Sequence, residues 1–182
     1  MTRDDPYALP DGLPVPEDDG AADHLPGSRL PTVALRASDG TEVTLSELPG
    51  RSVVFAYPRT GRPGEDALGG YEAWNAIPGA RGCTPQACAI RDGHARFAER
   101  GARVFGLSTQ STEDQAEVVA RLHLPYSLLS DPDAALGLPT FEVEGVTLYR
   151  RCTLILRDGT IEDAIYPVFP PDRAAEQALA RL

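Results

Sequence analysis

The chain has no lysine: all 17 of its basic residues are arginine. Schiff-base chemistry and phosphate binding through a P-loop lysine are therefore excluded. Positive charge as a whole is in deficit, with 27 acidic residues and a net charge of −10, which argues against nucleic acid or an anionic membrane surface as a partner. There is no apolar run of about 18 residues, so no membrane-spanning helix is expected. The opening residues, Met1 to Pro6, lack the apolar stretch of a secretory leader, and a cytoplasmic protein is expected. No G-x-G-x-x-G pattern occurs. The three histidines, His24, His94 and His123, share no spacing. The cysteines are Cys83, Cys88 and Cys152, too few and odd in number for a disulfide framework.

What is present suits one domain with an extension. Apolar residues make up 42% of 182, enough for a core without disulfides. Residues 1–25 read as an acidic, proline-rich N-terminal arm, loosely attached or disordered. The first 23 of them carry seven acids, four prolines and a single base, Arg3. Residues 26–182 form the folded body.

In that body Thr32–Leu35 and Glu42–Leu45 read as strands around the turn Ser38-Asp39-Gly40. Ser52–Tyr57 is a continuous apolar run, as a strand covered on both faces requires. Residues 59–82, glycine-rich and interrupted by Pro63 and Pro78, read as a long irregular loop. Thr84 as N-cap and Pro85 at the first position predict a helix ending at Gly101. Ala102–Leu107 is a buried strand. Thr112 with Gln115 forms a capping box for a helix ending near Leu122. Ser127–Leu129 is a short strand, Cys152–Leu156 and Thr160–Tyr166 pair around Arg157-Asp158-Gly159, and a last helix starts at Pro171. The order predicts an α/β fold, a mixed β-sheet flanked by helices on both faces.

The chemistry concentrates at Gly82-Cys83-Thr84-Pro85-Gln86-Ala87-Cys88. Cys83 stands at a helix start, where unpaired N–H groups and the positive end of the dipole favour a thiolate. The alternative is a buried, inert thiol. Cys88 lies five residues on, roughly 8 to 9 Å away between Cα atoms in a regular helix. A disulfide needs less than about 7 Å, so bonding the two would require the first turns to unwind. Cys83, Cys88 and His94 do not have zinc-ligand spacing.

These residues, taken in order with others, resemble a peroxiredoxin, closest to the peroxiredoxin Q or bacterioferritin-comigratory type. The resemblance spans about residues 28–182. It runs through Leu45-Ser46-Glu47-Leu48, Val53–Pro58, the cysteine motif, Ile90-Arg91-Asp92, Gly106-Leu107-Ser108, Leu124–Asp131 and Arg151-Cys152-Thr153-Leu154-Ile155. It implies a thioredoxin fold. It also implies a thiol-dependent peroxidase acting on hydrogen peroxide or organic hydroperoxides, with Cys83 peroxidatic, Cys88 resolving and Arg151 activating. It implies a thioredoxin-like reductant, no metal, haem, flavin or nucleotide cofactor, and a monomer or homodimer.

One departure stands out. In that family a proline and then a Thr or Ser closely precede the cysteine. Here Pro58 lies 25 positions before Cys83, and Ala80 occupies the hydroxyl position. Thr60 and Thr84 are the candidates to replace that hydroxyl. The inserted loop 59–82 carries Tyr71 and Trp74 and reads as a lid, a docking surface, a dimer contact or a tolerated excursion. Two other functions stay open: a thiol oxidoreductase for a specific metabolite, and a non-catalytic redox sensor. Cys152 is expected to face away from the site into the core, Arg150 to be a solvated charge, and His94 to line a helix–sheet interface.

Overall fold

The structure, a computed structural model, describes residue 5 and residues 7–182; the rest of the acidic arm lies outside them. The apolar run in the body becomes β3 (Arg51–Ala56), an interior strand of a seven-stranded mixed sheet. The strands are β1 (Leu35–Ala37), β2 (Glu42–Val43), β3, β4 (Ala102–Ser108), β5 (Ser127–Ser130), β8 (Cys152–Arg157) and β9 (Thr160–Ile165), in the order β2-β1-β5-β4-β3-β8-β9. β3 pairs parallel with β4 and antiparallel with β8. Its side chains alternate between two cores: Val53 and Phe55 face one cluster, Val54 and Ala56 the other. That is why the run reads as apolar throughout.

Three helices share the first face: α2 (Cys83–Glu99), α3 (Thr112–Leu122) and α4 (Ala174–Leu179). Phe97 of α2 meets Phe55 edge-on, with centroids 5.9 Å apart. Truncating either ring would cost about 3–5 kcal/mol. His94 stacks on Tyr126, 6.2 Å between centroids, at the helix–sheet interface as expected. The second face is covered by a 3₁₀ turn at Leu45–Glu47, by Ala22, Leu25 and Leu30, by Leu136 and Leu138, and by Tyr149. A mixed sheet flanked by helices is the expected fold class, but the expectation of helices on both faces needs correction: α2, α3 and α4 pack on the first face, and the second carries, among the described residues, only a 3₁₀ turn, loop residues and Tyr149. No helix among the described residues is long and apolar enough to cross a membrane.

Several local expectations need correction. The first strand begins at Leu35 rather than Thr32, because its position is set by pairing Arg36 with Ser130 and Ala37 with Leu129, not by β-propensity. The cap of α3 is Ser111, whose hydroxyl accepts from the Asp114 N–H at 3.1 Å, so the capping box fails by one residue. Gln115 is instead buried and hydrogen-bonded to Tyr57, Ser108 and Leu129. Residues 59–82 are not wholly irregular, since they contain α1 (Tyr71–Ala76).

A separate hairpin, β6 (Thr140–Val143) with β7 (Val146–Tyr149), turns through Glu144 and Gly145 at φ of 49° and 78°. That is the two-residue turn that matches strand twist. The described part of the arm is also not loose. Ala22 and Leu25 are buried, and the Tyr166 hydroxyl donates to the Asp19 carboxylate at 2.9 Å.

Candidate active site

α2 starts two residues earlier than Thr84 as its N-cap would set it. Gly82 is its N-cap, at φ 107° and ψ 20°, and makes no side-chain cap bond. Cys83 is therefore the first helical residue, and Thr84 lies inside the first turn instead of capping it. The cause is packing. A Cβ on Gly82 would come within 2.6 Å of Pro171 Cγ and 2.8 Å of Leu9 Cδ2. The close approach of the C-terminal turn and of the arm, together with the positive φ, admits only glycine. Pro85 does no harm so close to the helix start, where its missing N–H has no helical acceptor.

Cys83 is 5% exposed. Arg151, itself buried, stands immediately before β8. The β3–β8 register pairs Ala56 with Cys152, so Arg151 lies just past the carboxyl end of β3, where α2 begins. Its Nη2 donates to Cys83 Sγ at 3.3 Å and to the carbonyls of Gly79, Ala80 and Arg81, each at 3.2 Å. Its Nη1 donates to Gln86 Oε1. The Cys83 thiol donates to the Ala80 carbonyl at 3.8 Å. No carboxylate is among these partners. The guanidinium is held by neutral acceptors and keeps its charge directed at the sulfur.

Gln86, 1% exposed, is the positioning residue that the sequence reading quoted only as part of a motif. The available signal was a polar side chain on the buried side of the first turns of α2.

The other candidates fall apart by position. Cys152 is fully buried on the opposite face of the sheet from Cys83, as expected, and burial pushes its thiol up to about 12. Cys88 is half-buried on α2, and burial raises its thiol as well. All three cysteines are free thiols. Thr60 is buried with its hydroxyl donating to Gln110 Oε1 at 3.1 Å, so it is already engaged away from the sulfur. Thr84 is buried and lines the same cavity as Cys83. Arg150 lies over Phe141, its guanidinium carbon 5.5 Å from the ring centroid, and is not simply solvated.

The inserted loop builds this cavity. Trp74 of α1 is buried against Leu148 of β7, with Leu68, Ile77, Phe141 and Val143 around it. The unforeseen hairpin is thus the platform on which the insertion rests. Between the insertion and the start of α2 lies a space of about 740 Å³ that reaches Cys83.

Residues 25–179 match the family model described as Redoxin. Chloroplastic peroxiredoxin Q of Gentiana triflora is 29% identical over 158 residues, which cover 84% of this chain and 64% of that protein. The corresponding protein of Oryza sativa subsp. japonica is 30% identical with the same coverage. The chain thus spans 64% of the length of these relatives. The crystal structure of peroxidoxin BcpB from Mycobacterium tuberculosis superposes with a TM-score of 0.67 at 29% identity, covering 86% of this chain and 96% of that one. The bacterioferritin comigratory protein of Xanthomonas campestris shares the fold, with a TM-score of 0.63 at 22% identity over 93% of this chain and 95% of that one.

Proposed function

This chain belongs to the Redoxin family, alongside peroxiredoxins of the Q and bacterioferritin-comigratory type, and on that premise we propose that it is a thiol peroxidase with Cys83 as nucleophile. The observation that carries the reading is the 3.3 Å contact between Arg151 and Cys83 Sγ at the foot of a helix and the edge of a cavity. The Cys83 thiolate attacks the terminal oxygen of a hydroperoxide. An S–O bond forms, the O–O bond breaks, and the leaving alkoxide or hydroxide takes up a proton. Sulfur is oxidised to sulfenic acid and the peroxide is reduced by two electrons. Arg151 stabilises the thiolate and the charge that builds on the leaving oxygen. Thr84, lining the same space, supplies the hydroxyl that Ala80 lacks.

Cys88 is the resolving residue in this proposal. Its thiolate attacks the Cys83 sulfenic sulfur, the S–S bond forms as the S–O bond breaks, and the departing hydroxide takes up a proton to become water. The first turns of α2 must open for this, which breaks the Arg151–Gln86 bond. A dithiol protein of the thioredoxin type then reduces the disulfide.

Mixing reduced protein with one equivalent of hydrogen peroxide and mapping the peptides is the direct test. The expected product is a Cys83–Cys88 disulfide, with faster amide exchange over residues 84–91 than in the reduced protein. A Cys83–Cys152 bond would remove Cys88 from its role. Unreacted Cys83 would remove the peroxidase reading itself.

The resolving step carries its own pH signature. Burial raises the Cys88 thiol above the ordinary range, and the attacking form is the thiolate. Disulfide formation should therefore accelerate as pH rises from 7 and level off only above the usual thiol pKa of about 8.5. Stopped-flow fluorescence of Trp74, the only tryptophan, follows the step. A rate independent of pH between 7 and 9 would contradict the assignment.

A further inference from the structure

The segment that leads into Cys83 is held from two sides. From within, Arg151 donates to the carbonyls of Gly79, Ala80 and Arg81 and to Cys83 Sγ. From without, the N-terminal arm crosses the same residues. Pro16 lies over Gly79, where a Cβ would touch its ring at 3.5 Å. Arg81, 8% exposed, donates to the Asp5 carbonyl at 3.0 Å. Leu9 and Pro171 close on Gly82 and leave no room for a Cβ.

The described part of the arm is anchored at its C-terminal end. Ala22 and Leu25 sit in the second core, and the Asp19 carboxylate accepts from the Tyr166 hydroxyl. Before this anchor the hold is lighter: Leu9 and Pro16 are half-buried, and Asp11, Val15 and Glu17 are exposed. Pro10, Pro14 and Pro16 stiffen the stretch, which limits the entropy gained on lifting and keeps it near its seat.

Opening α2 must disturb this contact. The body of the helix is fixed in the first core by Ile90 and Phe97. The end free to move is its start, and unwinding that turn shifts Arg81 and Gly82 beneath Asp5 and Leu9. Reaction with peroxide needs no such movement, because Cys83 already meets Arg151 and the cavity.

We propose that the arm is a strap that gates resolution: Asp5, Leu9 and Pro16 must part from residues 79–82 before Cys83 and Cys88 can bond. The inference rests on the peroxidase reading and on Cys88 as the resolving residue. While the strap is seated, the Cys83 sulfenic acid persists and a second hydroperoxide competes for it. In that branch the sulfenate sulfur takes the terminal oxygen, the O–O bond breaks, the leaving alkoxide or hydroxide takes up a proton, and a sulfinic acid forms. The seating of the arm thus sets the division between disulfide and over-oxidation.

Stopped-flow fluorescence of Trp74 with excess hydrogen peroxide separates the two steps, since the rate of Cys83 oxidation follows peroxide concentration and that of disulfide formation does not. Leu9→Ala should speed disulfide formation by about three- to tenfold, the worth of half a leucine's burial, and leave oxidation within about twofold. The share of Cys83 recovered as sulfinic acid at high peroxide should fall in step. In the wild-type protein, a glutamyl endoprotease should cleave after Glu17 faster in the disulfide form than in the reduced form, because the strap has lifted. Disulfide formation unchanged by Leu9→Ala, or both steps altered alike, overturns the inference and leaves the peroxidase reading in place. Failure of Cys83 to oxidise overturns the peroxidase reading instead. If the Leu9 variant does not fold, the wild-type cleavage decides, and equal rates in the two forms overturn the strap.

Discussion

A Cys83→Ser variant is expected to consume no hydroperoxide above the uncatalysed background while keeping its fold. Neither of the other thiols can take its place. Cys152 lies in the second core, fully buried, with a thiol pushed up to about 12. A thiolate there would be both rare and unreachable. Cys88 is partly accessible, but burial raises its thiol more than the charges of Arg91 and Arg121 lower it, and among the described residues no guanidinium hydrogen-bonds to its sulfur as Arg151 does to Cys83. The fold should survive, because Arg151 remains held by three backbone carbonyls and by Gln86, none of which depends on the sulfur. Serine is also close in size to cysteine, so little packing is lost. Peroxide consumption and a thermal melt, measured on the same sample, check both halves. Turnover near that of the parent would end the assignment of Cys83 as nucleophile, and loss of the cooperative melt would show that the thiol is structural.

What was readable beforehand was what local pattern decides. The apolar run of β3, the helix through Ile90 and Phe97, and the hairpin at Asp158-Gly159 need little beyond their own residues. Cys83 and Arg151 were named from a motif and a resemblance, 68 positions apart. Their meeting depends on β8 lying beside β3 in one register, which no short stretch specifies. The failures share a cause. Gly82 rather than Thr84 caps α2 because Pro171 and Leu9 press against it, and both are remote in sequence. Ser111 displaced Thr112 as a cap because Gln115 was claimed by a buried network with Tyr57 and Ser108.

The β6–β7 hairpin was legible in principle. Phe141 and Val143 alternate before Glu144-Gly145, and Val146 and Leu148 alternate after it. Without the hairpin the insertion had nothing to pack against, which is why Trp74 and Tyr71 had no single reading from sequence. Once the hairpin is in place, Trp74 is buried on Leu148 and the insertion becomes a wall of the cavity.

Replacing Arg151 with methionine is expected to slow oxidation of Cys83 by about 10²–10³, the usual effect of removing one preorganised donor from developing charge. Methionine approximates the length and apolar stem of arginine, so the change removes charge and hydrogen bonds more than volume. It also leaves the carbonyls of Gly79, Ala80 and Arg81 and the Gln86 amide short of a donor in a buried place, which costs about 1–3 kcal/mol per uncompensated group. A lower melting temperature is therefore part of the expected result and must be separated from the chemical effect. Arg151→Lys does so. It keeps a positive charge near the sulfur but cannot reach several carbonyls, Gln86 and the thiolate in one planar fork. If charge at the sulfur governs the rate, the lysine variant should recover part of the loss without recovering stability to the same degree. Arg150→Met is the companion control. Its guanidinium lies over Phe141, so the oxidation rate should stay within a few-fold of the parent. A larger loss in the Arg150 variant than in the Arg151 variant would mean that the activating cation has been misassigned by one residue and that the catalytic geometry differs from the 3.3 Å contact seen here.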